Sequence, residues 1–400
     1  MIAAYIACTV SVLGLAQAYA GWIAVASFAG RVARAHPHAG SALPAVTILK
    51  PLHGDEPLLE QALATTCQQE YPTFQIVFGV SAASDAALPC VKRLQVRFPT
   101  VDIAIVVDPT LHGENRKVGN LINMMPAAKY DVLVVADSDV HVTPDWLRRL
   151  VGTLDEPRVG LVTAAYTGIA ANLPNRTSGG RVSAVSASAS PENGWFATII
   201  GGLGSLQINQ YFLPGALVAR AMGRQDCLGA TMMLRRDTLE RIGGFHALAD
   251  HLADDNVLGR LVRRLGLKVA LASTIPATTV PETAAGALWR HELRWARTIR
   301  TLTPVPFAAS VLQYPLAWAA LAVVLAGGAL WSLVWFATTW ALRTLAAHGI
   351  DKALGLAHRS PLWLLPAREL LSVAVMAASY AGRRVQWRDH TMQAEGFNAR

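Results

Sequence analysis

Asp137 and Asp139, separated only by Ser138, end the apolar run VLVVA at residues 132–136. Two carboxylates this close repel each other, and desolvating them is costly unless a cation or hydrogen-bond donors neutralise them. Carboxylate oxygens at one or two positions suit Mg2+ or Mn2+, which complete their shells with water and substrate phosphates. The chemistry this spacing offers is therefore a metal-bound nucleotide diphosphate. A lone D-x-D is common by chance, and Thr143 or Asp145 before WLRRLVGTL would equally suit a turn or helix cap. Farther along, Asp254 and Asp255 precede the helical NVLGRLVRRLG, where capping is again the plain alternative. The segment LWRHELRWARTIR (288–300) carries Arg290, Arg294, Arg297 and Arg300, which on an interfacial helix would bind lipid headgroups.

Elements that could hold these groups follow from the pattern. AVTILKPL (45–52), FQIVFGVS (74–81), VDIAIVVD (101–108) and 131–136 read as strands, with helical spacing in 58–69, 86–98 and 114–128. Strands alternating with helices predict an α/β domain on a parallel sheet covered on both faces, and the unbroken apolarity of 132–136 suits a central strand. Ligands of such sheets sit beyond the strands' carboxyl ends, where Asp137 and Asp139 fall. Residues 172–194, rich in Ser, Gly, Asn and Ala, read as a flexible insertion.

The chain has 400 residues, of which 52% are hydrophobic and only 16% charged, a balance that points to membrane segments. No charged side chain interrupts residues 2–28, and roughly 20 residues suffice for a span. Arg31 and Arg34 follow, which predicts an outward amino terminus and a cytoplasmic domain after it. A second uncharged stretch, 301–342, fits one tilted span or two short ones broken near Gly327-Gly328. A third, about 362–381, contains Arg368 and Glu369, which are costly in lipid, so it reads as a short span or an interfacial helix. The net charge of +8 suits lipid headgroups or phosphates, and no basic-aromatic nucleic-acid motif is present. Four scattered cysteines form no C-x-x-C pair, which argues against a zinc site or a disulfide framework.

Together, TILKPLHGDE (47–56), Asp85, RKVGNL (116–121), ADSD (136–139), GATMMLRRDTLERIGGF, ADD (253–255) and RHELRW (290–295) resemble the inverting, lipid-glycosylating transferases of the GT-A fold. These are glycosyltransferase family 2 and its relatives. Among them the ceramide glucosyltransferases and the bacterial hopanoid-associated glycosyltransferases resemble the chain most. The resemblance implies an amino-terminal transmembrane anchor (1–35), a cytoplasmic GT-A catalytic domain (45–285), an interfacial segment with the RW motif (286–305) and a carboxyl-terminal membrane region (306–400).

The resemblance also implies roles. Asp85 would contact the nucleotide, accepting hydrogen bonds from uracil or ribose, and Lys117 and Asn120 would bind diphosphate. Asp137 and Asp139 would hold Mg2+ or Mn2+ with the diphosphate, His141 standing by. Asp255 would be the catalytic base, its proton affinity raised by neighbouring Asp254. Arg294 would neutralise the leaving diphosphate and Trp295 would pack on the acceptor. His291 stands where the family usually has Gln or Arg. Gly229 and Ala230 would leave room for a substrate, although a plain buried strand explains them equally. The implied reaction moves a sugar from a UDP-sugar to a lipid hydroxyl at a bacterial inner membrane. N-acetylglucosamine onto a hopanoid polyol such as bacteriohopanetetrol comes first, and glucose onto ceramide second. A non-catalytic membrane scaffold and a processive polysaccharide synthase are the other classes considered. The synthase expects more spans than this chain supplies.

Overall fold

The structure is a computed structural model and describes residues 1–35, 43–171, 194–356, 360–382, 384–387 and 390–393. The expected insertion at 172–194 lies, but for Gly194, outside the described residues. The chain forms two compact units. A sheet unit comprises Arg31–Thr167 and Gly223–Thr279, and a helical unit comprises Met1–Gly30, Gly168–Met222 and Val280–Arg400. Residues 168–222, inside the stretch expected at 45–285, belong with the helices. The reason is composition. Ile200, Leu203 and Leu206 join an apolar cluster with Leu288, Leu316, Leu364 and Leu365.

In the sheet unit the strands are β1 (Val46–Pro51), β2 (Phe74–Val80), β3 (Asp102–Val107), β4 (Val132–Ala136), β5 (Val140–His141) and β6 (Val159–Thr163). After β7 (Thr167–Ala170) come β8 (Thr231–Arg235), β9 (Lys268–Leu271) and β10 (Ala277–Val280). Helices α2 (Leu59–Cys67), α3 (Leu88–Arg97), α4 (Arg116–Met124) and α5 (Trp146–Leu154) alternate with the first strands. After the return from the helical unit come α8 (Arg236–Arg241) and α9 (Asp254–Arg264).

The seven-stranded sheet runs β3-β2-β1-β4-β8-β6-β9. Strands β3, β2, β1 and β4 are parallel as expected. Strand β8 is not, and it runs antiparallel to both β4 and β6. The sequence after β6 leaves the sheet at that strand's carboxyl end and returns at the same end. Thr163 Oγ1 donates to Leu228 O at 2.8 Å and accepts from Leu228 N at 2.9 Å. A chain that comes back where it left can only pair antiparallel. All five residues of β4 are buried, as a central strand covered on both faces requires.

The helical unit holds α1 (Ile2–Arg34), α6 (Gly194–Gln207), a π-turn at Ile208–Phe212 and α7 (Leu213–Ala221). It continues with α10 (Ala285–Leu302), α11 (Pro304–Ala309), α12 (Pro315–Leu325), α13 (Leu330–Leu354) and α14 (Leu365–Ser379). Among the described residues, Ile2–Arg34 and Leu362–Ser379 are long and apolar enough to cross a membrane. Pro304–Gln313 and Pro315–Leu325, bent by 67°, count as a third only if taken as one broken span. The break anticipated at Gly327-Gly328 is present, with φ of 63° and 75°. The one at Pro315 was not anticipated. It follows from the missing N–H and fixed φ of proline.

Arg368 and Glu369 do not face lipid, because both are wholly buried. Arg368 forms a two-pronged pair with Glu292 of α10, each contact 2.6 Å. Glu369 accepts from Tyr211 Oη (2.9 Å) and from Leu316 N and Ala317 N (2.6 and 3.2 Å), satisfying the first turn of α12.

Candidate active site

The site begins where β4 ends. Lys50, next to the last residue of β1 and fully buried, donates through Nζ to Asp137 O at 2.8 Å. Burial lowers its proton affinity to about 8, against the pull of Asp139, Asp137 and Glu56. Glu56, in the loop after β1, accepts from Ser138 Oγ at 2.5 Å. The D-S-D turn is therefore gripped from below by Lys50 and from the side by Glu56. A lysine inside an otherwise apolar strand, TILKP, was the legible sign of this, since lysine is rarely buried unpaired.

The two aspartates differ. Asp139 Oδ2 accepts from Thr278 Oγ1 of β10 at 2.5 Å. Burial, then the neighbouring Asp137 charge, raises the Asp139 carboxyl to about 7, with the Thr278 bond opposing. Asp137 Oδ1 lies 2.7 Å from Lys117 Nζ. His141, pushed down to about 4 by burial, meets Thr279 Oγ1 at 2.9 Å and remains a neutral bystander.

Lys117 is where distant segments meet. Asn115 caps α4 by accepting from Val118 N at 3.1 Å, and its amide donates to His251 O at 2.7 Å. This cap ties the start of α4 to the segment leading into α9. Lys117, two residues on, reaches Asp137 and also approaches Asp254 Oδ2 at 3.7 Å. Burial disfavours its charge, but Asp137 and Asp254 outweigh that and hold its proton affinity well above normal.

Asp254 and Asp255 occupy the first turn of α9, while the cap position itself is Ala253. Asp255 Oδ1 accepts from Asn256 N at 2.7 Å. Burial and then the Asp254 charge raise Asp255 to about 7, with Lys117 opposing. Asp137 adds to the rise at both Asp139 and Asp255, so the two acidic motifs share one field. Tyr166, following β6, feels the same three carboxylates. Burial first, then their charge, keeps its phenol protonated. The room expected at Gly229 is taken by Asp255, because a Cβ there would stand 3.0 Å from Asp255 Oδ2.

Two expected nucleotide contacts look elsewhere. Asn120 donates through Nδ2 to Gly79 O at 2.8 Å, so its amide pins α4 to β2. Asp85 Oδ1 accepts from Gly54 N and Ala87 N, both 2.9 Å, and shapes the HGDE loop. His53 Nδ1 lies 3.8 Å from its second oxygen.

Arg294 and Trp295 lie on α10 in the helical unit. Trp295 packs against the His291 ring edge at 4.6 Å and the Phe212 ring at 6.5 Å, centroid to centroid.

Among the described residues no group of three or more His, Cys, Asp or Glu side chains forms a ready metal cluster. The donor set is the two carboxylates Asp137 and Asp139, a number suited to Mg2+- or Mn2+-type sites that phosphate and water complete. Burial first, and then the Asp137 charge, disfavour an ionised Asp139, a cost that a divalent cation at the two carboxylates would relieve. On that chemistry the residues fit such an ion.

The sheet is mixed α/β with acidic turns beyond its strand ends, in keeping with the GT-A expectation. Residues 4–396 match glycosyl transferase family 21, and the chain belongs to that family. It is 35% identical over 114 residues to a ceramide glucosyltransferase of Komagataella phaffii, covering 28% of this chain and 22% of that protein. It is 24% identical over 242 residues to ceramide glucosyltransferase 1 of Caenorhabditis elegans, covering 59% and 45%. The chain spans about half or less of the length of the curated relatives it matches. A mannosyltransferase from Pyrobaculum calidifontis, solved with GDP-Man and Mn2+, is similar at 18% identity and a TM-score of 0.47, covering 93% of this chain and 99% of its own.

Proposed function

We propose that the chain is a membrane-held, inverting lipid glucosyltransferase that moves glucose from UDP-glucose to a hydroxyl of ceramide. The observation that carries this reading is Lys117, whose ammonium joins Asp137 at the end of β4 to Asp254 beside Asp255. A diphosphate site and a proton acceptor are thereby held by one cation. Asp255, with its raised proton affinity, takes the proton of the acceptor hydroxyl. Lys117 offsets charge on the diphosphate. Asp85 holds the loop after β1 that would receive the nucleotide. Asp137 and Asp139 would hold Mg2+ or Mn2+, which when bound supplies positive charge to the diphosphate oxygens. Arg294 and Trp295 enter through the motif they match, for leaving-group charge and acceptor packing respectively.

Ceramide and glucose are favoured by the relatives. Transfer of N-acetylglucosamine to a hopanoid polyol, the first expectation from the sequence, gains no support from them and becomes the competing arm of the test. The Ala- and Arg-rich composition favours a bacterial inner membrane, with the sheet unit on the cytoplasmic side.

The test is purified enzyme with UDP-glucose or UDP-N-acetylglucosamine against ceramide or a hopanoid polyol, read by mass spectrometry with and without chelator. Glucosylceramide formed only in the presence of Mg2+ or Mn2+ is the expected product. A product from the hopanoid pair alone would replace the substrate assignment, and activity untouched by chelator would remove the ion.

A further inference from the structure

Glu282 is an acid of the helical unit that reaches back to the start of the H-E-L-R-W motif. Its side chain is 9% exposed, and its Oε1 is hydrogen-bonded to His291 Nδ1. His291 and Trp295 stand four residues apart on α10, on one face, with the two rings edge-to-face at 4.6 Å and 81°. Phe212 also lies near the indole, with the ring centroids 6.5 Å apart. Burial would raise the Glu282 carboxyl, but the His291 bond and charge and the Arg294 charge overcome it and hold Glu282 below the usual range. One carboxylate thus meets the first residue of H-E-L-R-W directly and feels the charge of the fourth.

This arrangement explains how His291 stands where Gln or Arg is usual. Amide and guanidinium groups are standing donors, whereas a neutral imidazole presents its N–H at one nitrogen or the other. An ionised acceptor fixed against Nδ1 forces the proton onto that atom and sets the ring plane. We infer that Glu282 is a positioning residue for the transfer reaction, fixing the His291 tautomer and ring and, through them, Trp295 and Arg294. The inference rests on the glycosyltransferase reading above and adds a residue to it.

A kinetic double-mutant cycle tests it, using full-length enzyme with Glu282→Gln, His291→Gln and the double variant. Glu282→Gln alone should lower kcat about tenfold with little change in the donor KM, and Glu282→Asp should recover part of the loss. In the His291→Gln background, where a standing donor replaces the imidazole, Glu282→Gln should cost less than about threefold. Equal losses in both backgrounds, or a loss confined to thermal stability, would overturn the inference. Activity seen only with another nucleotide sugar or lipid would unseat the substrate assignment and leave the cycle readable on that pair. Should the wild type transfer nothing, the function reading fails, and 15N-histidine NMR decides the pair independently. A single Nδ1–H tautomer at His291 that is lost in Glu282→Gln supports the positioning role, and an unchanged spectrum contradicts it.

Discussion

Lys117 Nζ lies 2.7 Å from Asp137 Oδ1, so an ammonium on the first turn of α4 closes on the carboxylate that ends β4. The same nitrogen is 3.7 Å from Asp254. Removing it strips the shared cation from three carboxylates, Asp137, Asp254 and Asp255. Lys117→Met should lower kcat/KM by roughly a hundredfold, the scale of losing one aimed charge-stabilising group. Lys117→Arg should restore only part of it, because a planar fork does not replace a point charge. Steady-state kinetics on the two variants checks this. Equal activity in Lys117→Met and wild type would remove Lys117 from the site.

The proton affinity of Asp255, raised to about 7, sets the expected pH dependence. Only the ionised form accepts a proton, so kcat/KM should climb as pH rises through about 7 and flatten above it. Stability should show the opposite slope. The folded chain keeps a proton that the unfolded chain releases near its ordinary value, so this contribution is complete at low pH and lost as pH rises through about 7. A pH–rate profile of wild type beside Asp255→Glu, whose limb should shift, measures it. An activity limb confined to pH below 5 would contradict the assignment.

Gly229 tests the close fit at the base. A methyl group there meets Asp255 Oδ2 at 3.0 Å and its Cβ and Cγ at 3.3 Å, so the carboxylate must move. Gly229→Ala should lower kcat by roughly tenfold to a hundredfold through misplacement of the base, with UDP affinity nearly unchanged. Calorimetric UDP binding beside turnover separates the two effects.

Arg368 and Glu292 make a stability prediction. The pair is wholly buried, and Arg368→Leu leaves Glu292 charged or forced to take up a proton inside the helical unit. The loss should be about 3–5 kcal/mol, whereas replacing both partners with methionine should cost much less. Thermal unfolding in one detergent, compared across the single and double variants, decides it. Equal losses would show that the charge pairing is immaterial.

How much of this was readable beforehand divides along physical lines. Strands β1, β2, β3 and β4 and the helices between them were legible because each is short, apolar and bounded by turn residues. The acidic turn at 137–139 was legible because burying a strand straight into two carboxylates needs a reason. The reversal of β8 was not, since local composition carries no direction and the cause lies in where the chain re-enters the sheet, at Leu228. Lys50, Glu56 and Thr278 escaped notice because each acts on a partner more than eighty residues away. Arg368 read as a liability in lipid, and its partner Glu292 sits inside a motif where attention fell on Arg294 and Trp295. The anchoring of α4 by Asn120 was not legible either, because its partner Gly79 lies on the strand beneath that helix.

The most direct test is the single substitution Asp255→Asn, assayed for glucose transfer and for UDP binding on the same preparation. The asparagine keeps the shape and cannot take the acceptor proton. Transfer should fall by about a hundredfold to ten-thousandfold while UDP affinity stays within about threefold of wild type. Undiminished transfer by Asp255→Asn would contradict the assignment of the base and the account built on it.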